Sequence, residues 1–151
     1  MARHTFDQFI YADNEFTKSI AEPGSSLHYL RRLAATLYTD PRAFDRECVD
    51  DRVIDMSVKD WELQLIATTF GHVRSFITRR CKHLMPAPVK PEGQLEHQVQ
   101  PTGPMWQELK HRLSETPAFQ GFDKAGSANI YDCLDYLEGL AKNQSRKHAS
   151  A

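Results

Sequence analysis

An all-α fold is predicted by three features of this sequence. Apolar residues recur at helical spacing through most of the chain, turn-forming pairs such as Pro23-Gly24 separate the periodic stretches, and sustained strand alternation is missing. The pattern expects five or six helices packed around one long helix at about 58–84. A proline-rich extended crossover at 86–104 then leads to a C-terminal pair.

Thr5 is placed to cap a first helix, along which Phe6, Phe9, Ala12, Phe16 and Ile20 line one face to about Ala21. Pro23-Gly24 ends it, and Ser25 or Ser26 caps the next. In that second helix Leu27, Leu30, Leu33, Ala34, Leu37 and Tyr38 form the expected buried side, with His28, Arg31, Arg32 and Ala35 outward. Asp40-Pro41 restarts the chain in the favoured order of cap then proline. A short third helix carrying Phe44 and Cys48 is expected to dissolve near Asp50-Asp51, leaving Val53, Ile54 and Met56 as a packed connector.

Ser57, with Asp60 three residues on, opens the long helix in a near capping box. At 100° per residue, Leu65, Ile66, Phe70, Val73, Phe76, Ile77, Cys81 and Leu84 share one wide apolar arc. The other side carries a stripe of small residues, Ala67, Gly71 and Ser75, four apart. Glycine inside a helix costs up to about 1 kcal/mol relative to alanine, so Gly71 marks a close approach by this chain or another. Bulk on one side and small residues on the other suit a central strut covered from both sides.

The stretch 86–104 holds five of the eight prolines. Each lacks an N–H donor and restricts its predecessor, which gives an extended connector, with a short strand at Leu95, His97 and Val99 as an alternative. From Pro104 a helix presents Met105, Trp106, Leu109 and Leu113, and Thr116-Pro117 closes it. Phe119 and Phe122 sit on a loop expected to pack back on the body. Ser127 caps a last helix striped by Ile130, Cys133, Leu134, Leu137, Leu140 and Ala141. The expected organisation is one domain, 1–151: a helical group at 5–85, the connector, a helical pair at 105–142 and a polar, basic tail at 143–151.

Composition narrows the functional classes. Hydrophobic content of 40% and charged content of 26% are ordinary for a globular chain, and a net charge of −1 gives no global pull toward nucleic acid or acidic lipid. No apolar run reaches the length of a signal peptide or a membrane span, and the three cysteines are dispersed, so a cytoplasmic protein with reduced thiols is expected. Phosphate-loop, dinucleotide, nucleophile-elbow and zinc-protease motifs are missing, and no cofactor is expected. Cys48, Cys81 and Cys133 lie 33 and 52 residues apart on apolar faces, which suits core packing better than a zinc site or a nucleophile.

Charge patterning is the strongest functional signal. Eight acidic and four basic residues lie between Asp40 and Glu62, whereas Leu63 to Pro91 holds five basic residues and no acidic one. The resulting dipole is suited to an acidic partner, a phosphate backbone or a second copy, and equally to dipole-matched charge on a solvated helix. The candidate binding residues are Arg31, Arg32, Arg74, Arg79, Arg80 and Lys82. One short stretch, Thr5-Phe6-Asp7-Gln8-Phe9-Ile10 followed by Asn14, Ala21 and Pro23-Gly24, is similar to the segment preceding the nucleotide-binding core of bacterial replication initiators and helicase loaders. It spans about twenty residues. Ser25-Ser26-Leu27-His28 stands where that family has its phosphate loop, with no Walker lysine, so no activity carries over.

The sequence thus leads to a non-enzymatic helical protein-binding module or accessory subunit, whose partner is another protein or a second copy. A nucleic-acid-associated protein contacting phosphates through the basic residues is the alternative, and a small helical enzyme or metal protein the third reading.

Overall fold

The structure, a computed structural model, describes residues 4–40, 44–85 and 103–149. Among these residues there are seven α-helices and no β-strand: α1 (Phe6–Ala21), α2 (Ser26–Leu37), α3 (Val49–Asp55), α4 (Asp60–Arg80), α5 (Gly103–Ser114), α6 (Phe122–Ser127) and α7 (Ile130–Ala149). Short 3₁₀ turns at Pro23–Ser25 and Pro117–Phe119 stand where proline fixes φ at a helix approach. The expected all-α class holds. The crossover, and the strand weighed within it, fall at 86–102, outside the described residues.

The first helix begins as expected, with the Thr5 hydroxyl accepting the Gln8 amide at 3.2 Å. Its surroundings are the main departure from the sequence reading. The most enclosed helix is α1, which packs on α2, α5, α6 and α7 and meets α4 through side chains. Phe6, Phe9, Ile10 and Ala12 are buried, and so are Gln8, Asp13, Glu15 and Ser19, on faces the apolar pattern assigned to water. These polar side chains find partners in the fold, although Gln8 Oε1 is buried without a hydrogen bond. Gln8 donates from Nε2 to the carbonyls of Thr36 and Thr39, at 2.7 and 3.1 Å, at the open C-terminus of α2. Glu15 receives Arg32 at 3.1 Å, and Arg32 also reaches Asp50 and the Tyr11 hydroxyl, tying α1, α2 and α3 together.

The fourth helix runs unbroken through Gly71, shorter than the expected 58–84 because Cys81 to Leu84 form turns. It starts at Lys59, whose N–H donates to Glu62 Oε2 at 2.8 Å, and not at Ser57. It is not wrapped on all sides. Its buried line is Leu63, Ala67, Phe70, Arg74, Ile77 and then Cys81, a four-three spacing rotated away from the centre of the predicted arc. Leu65 and Phe76, members of that arc, are 59% and 51% exposed. The small stripe does meet this chain: a Cβ on Gly71 would lie 3.3 Å from Cζ of Phe16 on α1.

Other departures are local. The third helix occupies Val49–Asp55, beginning where the sequence had it dissolving, because Asp50 and Asp51 suit a first turn. Ala35 is buried against Tyr11 and Val49, whereas Tyr38, Leu27, Ile20 and Ile54 are exposed. Phe122 opens α6 and does not lie in a loop. The expected tail continues α7 to Ala149.

The junction between α6 and α7 meets the start of α1. Phe6 N donates to Ala128 O at 2.9 Å and Ile130 N to His4 O at 3.2 Å, and Asn129 Oδ1 accepts the Tyr131 amide at 3.0 Å. Phe9 packs edge-on to Trp106 of α5 at 5.1 Å, so residues from both sides of the connector share one core.

Candidate functional site

The six basic residues of the sequence reading are not gathered into one patch. Arg31 lies beside Asp60 (3.8 Å, both exposed) at the N-terminal end of α4. Arg79, Arg80 and Lys82 are at the other end, about 30 Å away at 1.5 Å per residue. The Arg31-Arg32 pair therefore does not extend the basic end of α4. Arg32 is held by Glu15 and Asp50 as described. Arg80 is bidentate to Asp135 of α7, at 2.7 and 3.1 Å. Arg79 is exposed, donating to Ser75 O at 3.3 Å, and Lys82 is exposed.

Arg74 is furthest from the role expected of it. Only 8% exposed, it lies with Nε 2.6 Å from Asp13 Oδ1, and Trp106 Nε1 donates to Asp13 Oδ2 at 3.0 Å. Burial pushes the Asp13 carboxyl above the usual carboxylate range, opposed by the Arg74 charge and by the hydrogen bonds from Trp106 and Arg74. The three side chains join α1, α4 and α5 inside the core. Their signal in the sequence was Arg74 itself, standing in the four-three register between Phe70 and Ile77.

Cys81 and Cys133 sit in the core as expected, whereas Cys48 does not: it is half-exposed just before α3, its thiol 3.6 Å from Asp45 Oδ2. Burial pushes the Cys81 thiol up to about 11, with Glu138 and Asp135 adding to it, and Cys133 to about 12. Among the described residues no three His, Cys, Asp or Glu side chains converge as metal ligands would. Nor is any helix long and apolar enough to cross a membrane.

The surface that remains is the outer side of α4 and the cleft beside it. This cleft, about 460 Å³, has one wall of Leu65, Ile66, Thr69, Val73 and Ile77 and a floor of Phe9 and Phe70. Leu37 and Tyr38 from the end of α2, His4, and Ile130 and Tyr131 from the start of α7 complete it. Two ties hold the walls. His4 Nε2 lies 3.1 Å from Leu37 O, and just past the end of α4 the Glu138 carboxylate binds His83 and accepts the Leu84 amide at 3.2 Å. Leu65 and Tyr38 rise from the rim, and Trp61 and Phe76 extend the apolar surface along α4. Exposed apolar side chains beside a concave, largely apolar cleft are a usual form of docking site for another macromolecule.

On the far side of α4 a second groove of about 460 Å³ is lined by Ala67, Gly71 and Ser75 with Phe16 and Ile20. Phe16 already occupies the closest approach to Gly71. A third, more polar groove holds the buried Lys110, 2.6 Å from Asp7 and over the Phe122 ring at 3.6 Å. No family model matches this sequence, no curated protein matches it, and no solved structure matches it.

Proposed function

We propose that this protein is a non-enzymatic helical binding module, an accessory subunit that docks on another protein through the outer side of α4 and the adjoining cleft. The observation that carries this reading is the exposure of Trp61, Leu65 and Phe76 on one helix, continuous with a cleft whose floor is Phe9 and Phe70. Exposed apolar area at that density costs about 25 cal/mol per Å² to leave in water, and a partner's apolar side chains remove it. The rest of the proposal follows the sequence. The chain folds as one unit in the cytoplasm, and the connector joins helices that share a core. The alternative of phosphate contacts keeps Arg79 and Lys82 as its exposed cations, since Arg32, Arg74 and Arg80 are engaged with carboxylates.

Affinity capture from the native source, with and without nuclease, tests both readings. Protein partners that persist after nuclease and are lost on Thr69→Glu, a change at an exposed position of the cleft wall, are expected. Capture that vanishes with nuclease, or on changing Arg79 and Arg80 together to Glu while surviving Thr69→Glu, would install the nucleic-acid reading instead.

A further inference from the structure

We draw no further inference here: the strongest candidate, the exposed outer face of α4 with the apolar cleft beside it, belongs to the docking site already described, and nothing in the structure shows what covers it.

Discussion

Replacing Asp13 with alanine tests the central architectural finding, that α1, α4 and α5 are joined through one buried carboxylate. Asp13 is fully buried, 2.6 Å from Arg74 Nε and 3.0 Å from Trp106 Nε1. Its removal takes from Arg74 the carboxylate that balances it in the core, a loss that costs about 3–5 kcal/mol in comparable buried pairs. The Trp106 N–H, on a side chain with no solvent exposure, loses its acceptor, worth about 1–3 kcal/mol. Because one group serves both partners, the two figures overlap, and a loss of about 4 kcal/mol is the working value. Against a total stability of about 5–15 kcal/mol that is a large fraction, and it corresponds to a fall in Tm of roughly 10–15 °C.

Thermal and urea unfolding followed by far-UV circular dichroism measure it, with Trp106 fluorescence as a local probe. The double variant Asp13→Leu with Arg74→Met should recover to within about 2 kcal/mol of wild type, since an apolar pair of similar volume removes both charges from the core. A single variant melting within about 3 °C of wild type, or a double variant less stable than the single, would refute the assignment of this pair as the junction. A pH series adds a check of sign. Burial raises Asp13 above its ordinary value of 3.8, so the folded state binds its proton more readily than the unfolded chain. Stability from this group is then fully present below pH 3.8 and is lost as pH rises through the raised folded value. Relative to Asp13→Asn, wild type should gain stability on acidification, and a loss instead would show that the Arg74 attraction outweighs burial.

Three further changes separate close packing from open surface. Gly126→Ala places a methyl against the Asp7 carboxylate and 2.8 Å from Lys110 Nζ, so it should cost about 1–2 kcal/mol in urea unfolding despite the better helix former. Gly71→Ala should fall within about 0.5 kcal/mol of neutral, because its methyl meets Phe16 at 3.3 Å and the gain in helix propensity offsets that contact, whereas Gly71→Leu should lose about 1–3 kcal/mol. Alkylation of the native protein at pH 8, read by mass spectrometry, should modify half-exposed Cys48 well before Cys81 and Cys133, which burial holds protonated up to about 11 and 12. Labelling of Cys81 ahead of Cys48 would place that thiol at the surface and contradict the core as described.

Helix existence was readable from the sequence because periodicity and caps are local signals. Thr5, Pro23-Gly24 and the runs around Leu30, Phe70, Leu109 and Leu134 each specify their element without reference to the rest of the chain. The centre of the molecule was not readable in that way. The apolar stripe of α1 is modest, and its enclosure depends on Gln8, Asp13 and Glu15 finding the α2 carbonyls, Arg74 with Trp106, and Arg32. Those partners lie 17 to 93 residues away, and no window on one helix contains them. The same physics hid the docking surface. The arc of α4 was broad enough to look like a face seeking cover, and its breadth was correctly seen. Arg74 decided its orientation: once a buried carboxylate holds that guanidinium inward, the helix is turned until Phe70 and Ile77 flank it below while Leu65 and Phe76 come out on top. The candidate site is thus a consequence of the Asp13–Arg74 pair. The double variant Asp13→Leu with Arg74→Met keeps position 74 apolar and inward, so α4 should stay seated as in wild type with Leu65 and Phe76 exposed, whereas Asp13→Ala alone, which leaves Arg74 without that carboxylate, should disturb the cleft wall, read by hydrogen exchange along α4.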